Sequence, residues 1–336
     1  MLSAADVHSV LGYADCAQAM RAALTALTSG RAQQPLRTVV QPAGAAGLIA
    51  LMPAYLAEDG GAAAHGAAAY GLKALCITPG NPAAGLDTHQ GVVLLSDGST
   101  GEPVAMLNAS AVTEIRTAAV SVVATDLLAR ADAATLAVIG AGVQARAHVL
   151  ALDQARRLAE IRVTSRDIDR AAQLAAGLHG QTRATVRACP SAREAVDGAD
   201  IIVTATSSVT PVLHGDSIAP GAHINAVGAC LPHARELDTP TVAAAVLFAD
   251  RRDSLLAESG DYLLAAADGA VGPDRVRGEL GEILLGTASG RLTQGEITVF
   301  ESLGLAVEDL AAAALAYRNA LEAREAGATV GSLVPF

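Results

Sequence analysis

Along residues 135–152, TLAVIGAGVQARAHVLAL, an apolar run of strand length stops at a glycine turn and gives way to an Ala/Val/Leu-rich helical stretch. Residues 136–139 predict a buried strand, Gly140-Ala141-Gly142 the turn, and the stretch after it a helix. Upstream, residues 4–30 space Ala, Leu and Met as a helix stopped by Gly30. Residues 41–47 are rich in turn formers, 48–53 and 71–77 predict strands, and 78–82 a loop. Residues 92–95 and 104–107 predict a hairpin with a long turn, so the first hundred residues read as α+β. A helix of small residues is expected over 117–130. Past the glycine turn, strands at 161–164, 201–205, 224–227 and 246–249 alternate with helices at 170–178 and 191–196. That alternation predicts an α/β fold with a Rossmann-type, doubly wound parallel sheet. The alternation ends before a long helix at 306–326, which is expected to return and pack on the N-terminal part.

The glycine turn carries chemistry as well as structure. Gly140, Gly142 and Ala145 take the positions of G-x-G-x-x-G/A. The first permits a tight turn, the second lets a pyrophosphate approach the backbone, and the third lets helix and strand pack closely. Free amides at the helix start, around Val143 and Gln144, would then face phosphates. At the end of the second strand of such a fold, an acid reads the ribose hydroxyl of NAD and an Arg accommodates the extra phosphate of NADP. Ser165 and Arg166 occupy those places and favour NADPH; NADH remains open, since Asp167 or Asp169 would serve it if the strand ran on. Thr206, Val227 and Gly228, at the ends of later strands, complete the candidate cofactor contacts.

Totals narrow the classes. A net charge of −11 without a block of like charge, 2% aromatic residues and no Trp argue against nucleic acid. No signal-peptide pattern opens the chain and no stretch reads as a membrane span. Cys16, Cys76, Cys189 and Cys230 are scattered, which disfavours a disulfide framework or a zinc site and fits a reducing cytoplasm. Among 23 basic residues Lys73 is the sole lysine, placed in an apolar strand. Lysine differs from arginine in changing protonation state when buried, so a functional role is favoured over a surface one. Arg37 opens an apolar run, and Arg116 stands at the start of the helix expected over 117–130. Taken singly, each reads as readily as a surface charge.

Motifs along nearly the whole chain resemble the ornithine cyclodeaminase/μ-crystallin family, in particular its μ-crystallin-like, ketimine reductase branch. They are QPLRTVV (34–40), LMPAY (51–55), Gly71-Leu72-Lys73, Thr88-His89-Gln90, IRTAAVS (115–121) and VIGAGVQA (138–145). PGAHINAVG (220–228), Arg235-Glu236-Leu237, ESGD (258–261), ELGE (279–282) and SLGLAVED (302–309) follow in order. The resemblance implies a dinucleotide domain, residues 117–305, beside a substrate-binding and dimerisation domain made from 1–116 and 306–336, and hence a homodimer. It also implies that Arg37, Lys73 and Arg116 hold the substrate carboxylate facing the nicotinamide. A carboxylate so anchored fixes the neighbouring C=N carbon for hydride transfer, and Lys73 polarises or protonates the imine nitrogen. His89 is a second acid candidate, with a structural histidine as the equal alternative.

Two positions depart from the family pattern. Cys230 stands where cyclodeaminases and alanine dehydrogenase relatives carry an Asp that handles the amine or water. A thiol, mostly neutral near pH 7, is a poor replacement. Cys230 therefore reads as a pocket residue and counts against deamination with cyclisation. Glu301 stands where μ-crystallin-like members often have Lys, and reads as surface variation. The resulting expectation is NAD(P)H-dependent reduction of a small 2-imino acid, such as Δ1-pyrroline-2-carboxylate or Δ1-piperideine-2-carboxylate, to the amino acid. The alternatives are an ornithine cyclodeaminase, an alanine- or aspartate-type dehydrogenase, and a non-catalytic NADPH-dependent ligand carrier.

Overall fold

The structure, a computed structural model, describes residues 1–58 and 68–334. The chain divides into two compact units, Met1–Arg116 with Gly304–Phe336, and Thr117–Leu303.

The first unit opens with two helices, Ala4–Val10 and Tyr13–Thr28, where one was expected over 4–30. Ser3 and Asp6 form a reciprocal cap on the first helix; Leu11 turns extended, and Gly12 caps the second. The strands Ala32–Gln33, Leu48–Leu56, Ala69–Ile77, His89–Asp97 and Pro103–Asn108 pair antiparallel in that order, and Thr38–Val40 also pairs with Leu48–Leu56. Burial alternates along them: Ala69, Lys73 and Leu75 are buried, whereas Tyr70 and Cys76 are exposed. Helix Ala306–Glu325 covers the buried face, packing on the strands Leu48–Leu56, Ala69–Ile77 and His89–Asp97 and on helix Tyr13–Thr28. Apart from Glu308 and Asp309, residues 306–316 are alanine, valine and leucine, and a stretch apolar on most sides gains by being enclosed.

Helix Ala109–Leu128 begins well before the expected start at residue 117. Asn108 supplies the start signal, its Oδ1 accepting the Ala111 N–H at 2.9 Å. Arg116 therefore lies inside a helix, not at its beginning.

The second unit is an eight-stranded parallel sheet. Its strand order is Val276–Glu279, Val246–Ala249, Thr298–Glu301, His223–Ala226, Ile201–Thr204, Thr135–Ile139, Glu160–Thr164 and Thr185–Ala188. This is the doubly wound arrangement expected from the sequence. Strands Thr185–Ala188, Val276–Glu279 and Thr298–Glu301 were not expected; half of each is polar or charged, so no apolar run marks it. Phe248, Phe300, Leu136 and Ile202 are fully buried in the sheet. The strand order reverses between Thr135–Ile139 and Ile201–Thr204, the place where open α/β sheets take ligands beyond their carboxyl ends. Among the described residues no helix is long and apolar enough to cross a membrane.

Candidate active site

In the first unit the strand register sets Lys73 opposite Met52 on one side and Val93 on the other, on the sheet's buried face. Lys73 is 3% exposed, and its Nζ lies 2.6 Å from Oδ2 of Asp309. The other oxygen of that carboxylate accepts the Arg116 Nε–H at 2.9 Å, and Arg116 Nη1 donates to Glu308 at 3.1 Å. Arg37 donates from Nη2 to the Gly304 carbonyl at 3.0 Å. Gly304 has φ +79°, and a Cβ there would stand 2.7 Å from Arg116 Nη2, so a side chain at this turn would displace the guanidinium. The structure thus brings Arg37, Lys73 and Arg116 together around residues 304–309.

Glu308 and Asp309 are the members that sequence reasoning missed as site residues. They occupy the first turn of helix Ala306–Glu325, where the backbone dipole favours negative charge. Leu305 donates its N–H to Glu308, and the Val307 N–H is taken by Gln34 Oε1 at 2.9 Å. An acid pair in the first turn of a helix is so ordinary that nothing local marked these two as buried. Burial lowers the Lys73 ammonium to about 8; Asp309 holds it up against that, and Arg116 pushes it further down. Burial alone would raise the Asp309 carboxyl, but the Lys73 and Arg116 charges prevail and hold it below its usual value. Three cations against two anions leave one net positive charge on these five groups, which matches a substrate carboxylate. His89 is exposed at the first residue of its strand. Partial desolvation, and then the Lys73 charge, lower its imidazole, so it is largely neutral near pH 7.

In the second unit Gly140 has φ +134°, and a Cβ there would lie 2.4 Å from the Ala205 carbonyl oxygen, so only glycine fits the turn. Gly142 caps helix Val143–Ala155 without a side-chain bond, Ala145 is buried, and Val143 is 50% exposed. The first amides of the helix are therefore open to an anion, Gln144 follows beside them, and Val143 offers an apolar surface. These features fit a dinucleotide, which would lie across the Gly140–Gly142 turn. The second strand ends at Thr164, with Ser165 and an exposed Arg166 directly after it. Ser165 Oγ donates to the Asp167 carbonyl, and the Asp167 carboxylate caps the next helix on Asp169 N–H. Thr206 donates its N–H and its Oγ1–H to one Glu236 oxygen at 2.7 and 2.6 Å, and Gly228 donates its N–H to the other at 2.7 Å. Buried Glu236 thereby ties together the two strand-end loops that carry Thr206, Val227 and Gly228. Its place in Arg235-Glu236-Leu237 gave no hint of that role.

Cys230 is half-buried, its thiol directed to the Val227 and Ser302 carbonyls at 3.4 and 3.7 Å. Glu301 corrects an expectation. It is 1% exposed at the end of an interior strand, in register with Ala226 and Ala249, and is not surface variation.

The sequence model of the ornithine cyclodeaminase/mu-crystallin family matches residues 1–324. Ketimine reductase mu-crystallin of Mus musculus is 40% identical over 288 residues, covering 86% of this chain and 85% of its own. The Δ1-pyrroline-2-carboxylate reductase of Thermococcus litoralis, solved in complex with NADH and L-proline, is similar with a TM-score of 0.92. It is 35% identical, and the match covers 99% of this chain and 100% of that one. An archaeal alanine dehydrogenase dimer with bound NAD gives a TM-score of 0.90 at 30% identity, over 100% and 98% of the two chains.

Proposed function

The chain belongs to the ornithine cyclodeaminase/mu-crystallin family, and from that membership we propose that it is an NAD(P)H-dependent reductase of small 2-imino acids. Cyclic ketimines, Δ1-pyrroline-2-carboxylate or Δ1-piperideine-2-carboxylate, are the substrates that suit it, and proline or pipecolate the products. The observation that carries this reading is the sole lysine, buried against Asp309 and Arg116 and lowered to about 8. A general acid works best with a pKa near the working pH. Arg37 and Arg116 anchor the carboxylate, and Lys73 gives its proton to the imine nitrogen. A nicotinamide held there would supply the hydride for the imine carbon, and with the Lys73 proton on nitrogen the C=N bond would become the C–N bond of the amine. Neutral His89 is the weaker acid at pH 7. Cys230, its thiol turned to backbone carbonyls, supports plain reduction over chemistry that needs a carboxylate there.

Arg166 favours NADPH as the donor, because it follows the second strand directly while Asp167 is spent on a helix cap. The test is the initial rate of NADPH and NADH oxidation with both rings, with and without ammonia. Fast, ammonia-independent oxidation is expected, better with NADPH, and Arg166→Ala should narrow the cofactor ratio by about tenfold, the effect of one charge-assisted contact. No oxidation with either ring sinks the reading.

The outer face of the antiparallel sheet is the surface for a second copy. Pro53, Tyr70, Leu72, Val92, Leu94 and Met106 stand on it in adjoining register, an apolar patch on four strands. The dimeric archaeal relative supports that occupant. Sedimentation should give a dimer, and Leu72→Asp a monomer; a monomeric wild type refutes it. The four cysteines, two of them buried and none in a disulfide among the described residues, suit a reducing cytoplasm.

A further inference from the structure

The unit Thr117–Leu303 buries four carboxylates together. Glu236, Asp250, Asp261 and Glu301 are each 1% exposed or less. Glu236 takes the Thr206 and Gly228 donors described above. Asp250 takes the N–H groups of Arg251 and Leu303 at 2.7 and 2.8 Å. Asp261 Oδ1 takes the N–H groups of Glu236 and Leu237 at 2.8 and 2.7 Å. Glu301 takes the Ser259 hydroxyl at 3.0 Å on one oxygen, and Ser259 caps the helix Gly260–Ala267 that carries Asp261. Two oxygens remain, Asp261 Oδ2 and Glu301 Oε1, buried and without a hydrogen-bond partner among the described residues.

Through Ser259, Glu301 is tied to the start of the helix that carries Asp261, and the charges of Asp261, Glu236 and Asp250 all raise its carboxyl. The Arg235 charge offsets part of this at Asp261, and its guanidinium is bonded to the Leu237 carbonyl and the Thr239 hydroxyl. Arg251 is engaged by Glu279. Two buried anionic oxygens without donors cost more than retaining a proton, and neighbouring carboxylates do not both ionise readily.

We propose that Glu301 and Asp261 share one proton, and that this proton keeps Glu236, and through it the Thr206 and Gly228 loops, set for the cofactor. Glu301 is thus a positioning residue. The proposal rests on reading those loops as the cofactor site. Glu301 holds the proton and Asp261 accepts it, because two backbone N–H groups already favour the Asp261 anion. Burial pushes both carboxyls up, and Asp261 repels the Glu301 charge further. Losing the proton adds a second charge beside Glu236, which then shifts its backbone N–H away from Asp261 and loosens both loops.

The test measures NADPH affinity and the Tm of the cofactor-free protein from pH 5.5 to 9.5, in the wild type and in Glu301→Gln. The amide keeps a donor and has no proton to lose. In the wild type affinity should fall on the alkaline side, by at most about tenfold per pH unit for one linked proton. Stability has the same sign. The folded protein holds this proton where the unfolded chain has lost it, so Tm declines as pH rises from the ordinary carboxylate range through the raised folded value. Glu301→Gln should flatten both profiles. If Glu301→Gln folds poorly, Asp261→Asn serves the same purpose. Profiles of the variant that follow the wild type in both measurements overturn the proposal. A flattened Tm profile with an unchanged affinity profile overturns the positioning role. A flattened Tm profile in a protein that binds no dinucleotide at any pH upholds the shared proton and refutes the cofactor reading instead.

Discussion

Replacing Lys73 by Met is expected to lower kcat for a cyclic ketimine by about a hundred- to ten-thousandfold, the usual worth of a positioned general acid. Affinity for NADPH should stay near the wild-type value. Methionine keeps the length and apolar character of the lysine stem, so the strand Ala69–Ile77 retains its packing, while the proton and the charge are gone. Steady-state rates beside NADPH titration by fluorescence separate the two effects. An unimpaired kcat would remove Lys73 from the chemistry, and an equal loss of cofactor affinity would make the variant merely misfolded.

The second large effect concerns Asp309. Asp309→Ala leaves the buried Lys73 and Arg116 with one acid between them, and breaking a buried pair costs about 3–5 kcal/mol. Denaturant unfolding at pH 7 should show that loss in the midpoint. Asp309→Asn is gentler and more informative. If Lys73 is the proposed proton donor, the wild-type rate should fall as pH rises through about 8, where the ammonium is lost. Asp309 is the charge that opposes the desolvation of Lys73, so its neutralisation moves that fall to lower pH. A descending limb left in place would show that Asp309 does not set the lysine's titration.

The sequence made the parallel sheet and the glycine turn legible because each signal is local. An apolar run, a positive-φ glycine and a following helix lie within one stretch, and Gly140, Gly142 and Ala145 stand where that stretch requires them. Arg37, Lys73 and Arg116 became a site through resemblance alone, since their meeting depends on a helix far along the chain. What escaped was depth. Glu308 and Asp309 satisfy a helix start so well that their burial left no trace in the local pattern. Glu301 ends a four-residue strand, too short to declare itself interior. The start of helix Ala109–Leu128 was set too late, at residue 117, because the run of small residues begins there, whereas Asn108 was already the cap.

The division of the first unit into two distant segments has a consequence for synthesis. Arg116 and the acids that neutralise it are separated by 192 and 193 positions, with the whole parallel sheet between. On a ribosome Arg116 emerges early and its counter-charges 192 and 193 residues later. Domains generally form as units during translation, so the sheet-bearing segment can close while Lys73 and Arg116 still stand in water as bare charges. Packing of helix Ala306–Glu325 on the strands desolvates them. A product stalled before residue 306 would therefore carry the parallel sheet with Lys73 and Arg116 still lacking the Glu308 and Asp309 carboxylates.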